Sequence, residues 1–257
     1  MIQPYLSVVI PAYNEEARIA STVKALVYYL DAWSTGAGAS ADDRSWELVV
    51  VSDGSTDSTC KIVSEISASN DNVRLIDAPH GGKGAAVRRG MDETMGDWRF
   101  LCDADLSMPA DNIGRFFGDD RKPPFDVSIG SREAHGAQRI NEPRMRHVKG
   151  RLFNYAVKIF AIRGIEDTQC GFKLFSTEAA KKLFPHQSLD GWAFDVELLV
   201  MAKNAGFSIG EVPIDWYYGE GSKMTLYQGV IAVLDVARVG VNNLFRKYRV
   251  IERKGGA

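Results

Sequence analysis

Four short apolar runs near the amino terminus, each followed by a stretch with helical spacing, restrict this chain to one kind of architecture. Residues 6–10, 46–52, 73–77 and 98–103 are rich in β-branched or aromatic side chains and are closely followed by Pro or Asp, the pattern of buried strands. A helix is expected from Asn14-Glu15-Glu16 to about Trp33, with Ala17, Ile19, Val23, Leu26 and Leu30 on its core face. A second follows Asp53-Gly54-Ser55-Thr56-Asp57 and ends near Ile66, and a third covers 85–94. Pro11, which has no backbone N–H, is expected to end the first strand. Strands alternating with helices in this way predict an α/β fold with a mostly parallel sheet flanked by helices.

The rest of the chain is less regular. A strand is expected over 127–130, ending in Ser131-Arg132, followed by a basic and apolar segment over 144–163 and a compact block over 167–175. Trp192 introduces a helix to about Asn204, residues 208–214 read as a strand, and 225–250 as an amphipathic helix. No linker divides the 257 residues, so one domain is expected. The formal charge of −2 argues against a general nucleic-acid binder. Cys60, Cys102 and Cys170 have neither disulfide-framework nor zinc-ligand spacing, which fits reduced thiols in a cytoplasmic setting. No basic leader or long apolar run precedes Leu6, and no run approaches about 18 apolar residues, so neither a signal peptide nor a transmembrane helix is expected.

The strand ends carry the chemistry. Tyr13-Asn14-Glu15, Ser52-Asp53-Gly54-Ser55, Gly82-Lys83-Gly84 and Asp103-Ala104-Asp105 would all reach the carboxyl edge of the sheet, where α/β folds place their crevice. Asp103 and Asp105 repel each other unless a cation lies between them, and oxygen-only ligands suit Mg²⁺. The competing reading is an ordinary turn, since Asp is common there. The glycines around Lys83 would let backbone approach a ligand, and a helix amino terminus favours an anionic group such as phosphate. Gly82-Lys83-Gly84-Ala85-Ala86-Val87 fits neither a dinucleotide fingerprint nor a P-loop.

Taken together, the runs 9–16 (VIPAYNEE), 51–57 (VSDGSTD), 82–86 (GKGAA) and 103–105 (DAD) resemble the inverting GT-A glycosyltransferases of family 2. The runs 130–132 (GSR), 167–175 (DTQCGFKLF), 192–199 (WAFDVELL) and 220–223 (EGSK) resemble the dolichyl-phosphate β-glucosyltransferase group within it. The resemblance extends from about Leu6 to Lys223. Eukaryotic members of that group carry an amino-terminal membrane anchor, not seen here before Leu6, and usually read Asp-Asp-Gly-Ser where this chain has Ser52. The resemblance implies a Rossmann-like GT-A domain with a nucleotide-binding half (6–107), a sugar and acceptor half (108–224) and the terminal helix.

It also implies roles. Pro11, Ala12, Tyr13, Glu15 and Asp53 would line the base and ribose pocket, with Lys83, Asp103 and Ala104 beside the nucleotide. Asp105, with Asp103, would hold Mg²⁺ or Mn²⁺, and Arg132 would face the phosphates. Gln169, Lys173, Ser222 and Lys223 would contact acceptor or donor phosphate. Asp195 reads equally as an acid facing the sugar or acceptor and as a first-turn acid favouring its own helix dipole. The implied reaction moves a sugar, glucose from UDP-glucose, onto polyprenyl phosphate at the cytoplasmic membrane face. Alternatives are another donor such as GDP-mannose or a UDP-N-acetylhexosamine, a sugar-phosphate nucleotidyltransferase, and a non-catalytic sugar-nucleotide-binding partner of a membrane protein. A homo-oligomer is left open.

A lipid acceptor requires contact with a bilayer. Arg144, Arg146, Lys149, Arg151, Lys158 and Arg163 interleave with Leu152, Phe153, Tyr155, Ile159, Phe160 and Ile162, a pattern that can lie in the interface. Arg246, Lys247, Arg249, Arg253 and Lys254 would suit anionic lipid. The competing reading for both segments is a core helix with a solvated charged face.

Overall fold

A computed structural model describes residues 3–35, 45–118, 122–219 and 226–250. The first half follows the βα alternation: β1 (Leu6–Ala12), α1 (Ile19–Thr35), β2 (Trp46–Asp53), α2 (Thr59–Ser67), β3 (Val73–Ala78), α3 (Lys83–Glu93) and β4 (Trp98–Leu101). β3, β2, β1 and β4 lie side by side and all parallel. Val8, Val9, Ile10, Leu48, Val49, Val50 and Val51 are buried without alternation, as expected of parallel strands covered on both faces.

Pro11 does not end β1; it pairs in register with Val51 of β2. The reason is local. The Val9 carbonyl accepts from Cys102 N, the last bond on the β4 side. Pro11, two residues on, faces the same side, where β4 has already ended, so its missing N–H leaves no gap in the ladder. α1 starts at Ile19 and not at Asn14, which has φ 51° and lies in the left-handed region. Ala17, outside the helix, is consequently exposed, while Ile19, Thr22, Val23, Leu26 and Leu30 form the buried face.

The second half inserts one reversed strand. β5 (Val127–Ser131) and β8 (Ile209–Pro213) are parallel, and β7 (Lys173–Ser176) lies between β4 and β5, antiparallel to both. Its first residue, Lys173, pairs with Leu101, the last of β4, and with Ile129 of β5. An antiparallel strand starts where its parallel neighbours finish, so the segment leading into β7, residues 167–172, is delivered to the carboxyl edge of the sheet. A two-stranded ribbon, β6 (Gln138–Ile140) with β9 (Asp215–Tyr217), adds an element that the sequence pattern does not announce.

Among the described residues the remaining α-helices are α4 (Arg144–Phe160), α5 (Thr177–Leu183), α6 (Phe194–Asn204) and α7 (Leu226–Leu244), with 3-10 turns at Ala110–Phe116, Phe184–His186 and Lys247–Val250. α7 departs from the amphipathic pattern. It buries Ala232, Val236 and Val239, yet Tyr227, Val230, Leu234 and Val241 on its other side are apolar and exposed, as are Leu244 and Phe245 at its end. It approaches α4 closely at Gly240, where a Cβ would lie 1.9 Å from the Phe160 carbonyl oxygen. No helix among the described residues is long and apolar enough to cross a membrane.

Candidate active site

The first three turns at the carboxyl edge are stitched to one another. Asn14 N donates to Ser55 Oγ at 3.1 Å and Glu15 N to Thr59 Oγ1 at 2.8 Å, joining the turn after β1 to the one after β2. Glu15 itself is held by Arg18 at 2.6 Å. Asp53, 4% exposed, accepts from Gly81 N at 2.7 Å and Gly82 N at 3.0 Å, and its carboxylate lies 2.9 Å from His80 Nδ1. The His80 ring packs tilted against Tyr13, with ring centres 4.6 Å apart, which closes the circle back to the first turn. Pro11 and Ala12 end β1 beneath this group. Ser52 is buried and its hydroxyl accepts from Ser55 N at 3.2 Å, so it braces its own turn.

The glycines near Lys83 meet protein, not open space. Gly84 N donates to the Asp190 carbonyl at 2.8 Å, and a Cβ on Gly82 would lie 2.6 Å from the same oxygen. With Gly81 N and Gly82 N on Asp53, and Gly84 N and Ala85 N on the Asp190 carbonyl, most amides around the start of α3 already have acceptors, which differs from the anion-ready helix terminus expected from the sequence. What this turn presents is the Lys83 side chain. Its Nζ is 2.7 Å from Asp103 Oδ1 and 5.2 Å from the centre of the Trp192 ring. Burial works against its charge, but Asp103, Asp195 and Asp105 together hold its pKa above the ordinary lysine value.

Asp103 is held from behind by Gly171, where a Cβ would come within 1.9 Å of Oδ2. Any side chain there would push the carboxylate off Lys83. The following Asp103-Ala104-Asp105 turn is pinned from below, since the buried Thr22 hydroxyl of α1 donates to the Ala104 carbonyl at 2.7 Å. Asp105 is exposed, and its Oδ1 accepts from Ser107 N at 2.9 Å. Its other oxygen accepts no hydrogen bond among the described residues, nor is there among them any group of three or more His, Cys, Asp or Glu able to hold a metal ion. One open carboxylate oxygen beside a second acid is a partial oxygen donor set. It fits a divalent ion such as Mg²⁺ or Mn²⁺ that completes its shell with ligand phosphates and water.

The other side of the site comes from the block preceding β7 and from the start of α6. Lys173 is fully buried, with Nζ 2.8 Å from Asp195 Oδ1 and hydrogen-bonded to the Cys170 carbonyl. It is therefore placed to neutralise Asp195 and is shielded from any phosphate in solution. Asp195, in the first turn of α6, is also buried; burial raises its pKa, against the pull of Lys173 and Lys83. Gln169 Nε2 donates to the Trp192 carbonyl at 3.2 Å and so steadies the ring beside Lys83. The Arg132 guanidinium grips the buried Asp167 with Nε at 2.6 Å and Nη2 at 2.8 Å, and lies 5.4 Å from the Trp216 ring. Burial opposes both charges, yet Arg132 leaves the Asp167 carboxyl below the ordinary carboxylate value. Ser222 and Lys223 lie outside the described residues, as do the side chains of Arg144, Arg146 and Lys149. In α4, Lys158 is bound to Glu166 at 2.6 Å and Arg151 lies 3.6 Å from both Glu133 and Glu166.

The sequence thus points to Lys83, Asp103, Asp105 and Asp195, which the fold brings into one electrostatic cluster. It does not single out His80, Trp192, Gly171 and Thr22 as parts of the site. Trp192 and Gly171 stand inside recognisable blocks; His80 and Thr22 carry no signal of their own, because their contacts are with residues distant in sequence.

Comparison with known proteins identifies the family. The model of glycosyl transferase family 2 matches residues 7–184. A dolichyl-phosphate beta-glucosyltransferase of Trichomonas vaginalis is 35% identical over 247 residues, covering 92% of this chain and 71% of that protein. The dolichyl-phosphate beta-glucosyltransferase of Saccharomyces cerevisiae is 36% identical over 241 residues, covering 86% and 70%. Among solved structures, glucosyl-3-phosphoglycerate synthase from Mycobacterium tuberculosis with UDP superposes with a TM-score of 0.63 at 20% identity, covering 98% of this chain and 82% of that one. The same synthase with Mn²⁺ and UDP-glucose gives 0.60 at 19% identity, covering 98% and 81%. At such identities the likeness to solved structures shows the fold.

Proposed function

This chain belongs to glycosyl transferase family 2 and is a glycosyltransferase, and from that premise we propose that it transfers glucose from UDP-glucose to the phosphate of a dolichyl-type polyprenyl phosphate. The observation that carries the reading is the run of relatives sharing that printed activity over most of this chain, such as the Trichomonas vaginalis enzyme at 92% coverage. The site is compatible with it. Tyr13, His80 and Asp53, held together by the contacts above, would line the base and ribose. Lys83 and the open oxygen of Asp105 face the space where a diphosphate would lie.

A divalent ion held by Asp105 would supply Lewis-acid stabilisation of the charge developing on the departing diphosphate. A phosphate monoester has a second pKa of about 6, so the acceptor arrives as an anion and needs no strong general base. The task left to the protein is to hold two anionic groups together. Lys83 answers it directly, because its charge is secured by three acids and its ammonium is braced on Trp192. Asp195, neutralised by Lys173, orients the sugar or the acceptor. The test supplies UDP-glucose, GDP-mannose and UDP-N-acetylglucosamine separately with polyprenyl phosphate in vesicles. Glucosyl lipid from UDP-glucose is expected; transfer only from another donor, or none to lipid, overturns the reading.

We further propose that the protein meets the bilayer, at its cytoplasmic face, through the exposed apolar side of α7 and the neighbouring residues Tyr155, Ile159 and Phe160 of α4. Tyr227, Val230, Leu234 and Val241 recur at helical spacing, and Leu244-Phe245 is followed directly by the exposed cations Arg246 and Lys247. Apolar side chains entering the acyl boundary with cations at headgroup level is the arrangement of an interfacial helix. Replacing Leu244 and Phe245 by Ser should lower sedimentation with anionic vesicles and leave UDP affinity unchanged. Undiminished vesicle binding would remove this face.

A further inference from the structure

Glu197 is a fully buried carboxylate that none of the steps above uses. It lies in α6, two residues beyond Asp195, and is satisfied without a cation. Its Oε2 accepts from Ser188 N at 2.9 Å and from Leu189 N at 2.9 Å. Its Oε1 accepts from Ser188 Oγ at 2.6 Å and from Tyr248 Oη at 3.0 Å. Four donors on one carboxylate compensate the loss of water that burial imposes.

What Glu197 holds is a strap, residues 187–190, that has no regular structure of its own. That strap in turn holds the turn bearing Lys83. Gln187 Nε2 donates to the Gly84 carbonyl at 2.9 Å, and the Asp190 carbonyl accepts from Gly84 N at 2.8 Å and from Ala85 N at 3.4 Å. Arg88 of α3 reaches back to the Gln187 carbonyl at 2.8 Å and to the Asp190 carboxylate at 2.9 Å. Both glycines of the turn are needed for this approach, since a Cβ on Gly84 would lie 2.6 Å from the Leu189 carbonyl oxygen. The strap then runs directly into Trp192, on which Lys83 rests. At its far end the carboxylate is tied to Tyr248, in the 3-10 turn after α7, whose hydroxyl also accepts from Asn242 at 3.3 Å.

We propose that Glu197 is a positioning residue for the donor site, fixing the strap 187–190 and through it the turn that carries Lys83. A second consequence is that Tyr248 couples this bracket to the carboxyl-terminal segment. The proposal rests on the reading of the Lys83 turn as part of the donor site, so its test has one arm that needs no ligand. Amide hydrogen exchange is followed in the ligand-free protein for Glu197→Ala, Glu197→Gln and Tyr248→Phe. Glu197→Ala should speed exchange at Gly84 and Ala85 by about tenfold or more while leaving Cys102, bonded to Val9 within the sheet, as in the wild type.

Glu197→Gln should restore most of the protection. Its amide oxygen can take the two backbone N–H groups while its NH₂ faces the hydroxyls of Ser188 and Tyr248, which can accept. The second arm measures UDP-glucose KM and kcat well below the unfolding temperature. Glu197→Ala should raise KM about tenfold, equivalent to about 1.4 kcal/mol, and Glu197→Gln should restore most of it. A merely structural carboxylate would change unfolding and leave KM in the folded variant alone. If Glu197→Ala does not fold, Tyr248→Phe, which removes one of the four bonds, should show the same two effects at smaller size. Unchanged exchange at Gly84 and Ala85 in the folded variants overturns the strap assignment. Faster exchange with unchanged KM overturns its role in donor binding. A wild type that binds no UDP-sugar overturns the donor reading, and the exchange arm still decides what Glu197 holds.

Discussion

The two halves of the sheet treat their charges in opposite ways. Around β4 the acids sit on an open turn: Asp105 is exposed, and Asp103 and Lys83 are paired at 2.7 Å with part of their surface in solvent, while Asp53 after β2 is buried. Around β5 and β7 the charges are sealed: Asp167, Lys173 and Asp195 are all buried, and each is matched by an opposite charge within 2.8 Å. Open acids keep lone pairs for an incoming ligand, at little cost in stability because water solvates them. Buried pairs fix geometry, and removing one partner leaves the other without compensation. The site sits where these two designs meet, with Asp195 and Lys173 behind it and Asp105 in front.

Single substitutions should separate the two designs cleanly. Lys173→Met should cost about 3–5 kcal/mol in urea unfolding, because the Asp195 charge is stranded in the interior. Adding Asp195→Asn to that variant should recover part of the loss, a sign of coupling that independent sites would not show. Asp105→Ala should leave stability within about 0.5 kcal/mol, as for an ordinary surface change. Its effect should appear in ligand binding: with Mg²⁺ or Mn²⁺ present UDP affinity should fall by about tenfold or more, and in EDTA it should barely change. A large stability loss from Asp105→Ala, or a metal-dependent gain that survives it, would collapse the distinction between the halves.

The same contrast governs what the sequence makes readable. In the first half the candidate groups lie at or shortly after strand ends, so apolar runs followed by Asp53, by Gly82-Lys83-Gly84 or by Asp103-Ala104-Asp105 announce both the strand and a candidate site loop. In the second half function depends on pairings across sequence. Arg132 meets Asp167 35 residues away, and Gln169 reaches the Trp192 carbonyl 23 residues along. No local pattern encodes such contacts. The reversal of β7 is equally hidden, because the four residues of Lys173–Ser176 are too few to show a direction or a period. The exposed apolar side of α7 escapes the sequence for a related reason: the spacing reads as an amphipathic helix, and which apolar side chains are covered is decided by partners distant in sequence.

The two buried acids of the second half should also respond to pH with opposite signs, the smallest of these effects. For Asp167, burial pushes the pKa up, but the Arg132 guanidinium and its hydrogen bonds leave it below the ordinary value of 3.8. Below pH 3.8 the unfolded chain binds that proton first, so stability present above 3.8 is lost as pH falls through the folded value. For Asp195, burial dominates over Lys173 and Lys83, and the folded pKa lies above 3.8. There the folded state binds the proton first, so stability drops as pH rises from 3.8 through the folded value. A tenfold difference in proton affinity between the folded and unfolded chain is worth about 1.4 kcal/mol. Urea midpoints measured from about pH 3 to about pH 7 should therefore show two distinct changes of slope. Asp167→Asn should flatten the fall on the acid side of 3.8, while Asp195→Asn should remove the fall on its alkaline side. If both variants altered the same limb of the profile, Asp195 would be held in its charged form as firmly as Asp167. The ion pair with Lys173 would then outweigh burial, and the second half would hold two acids of one kind.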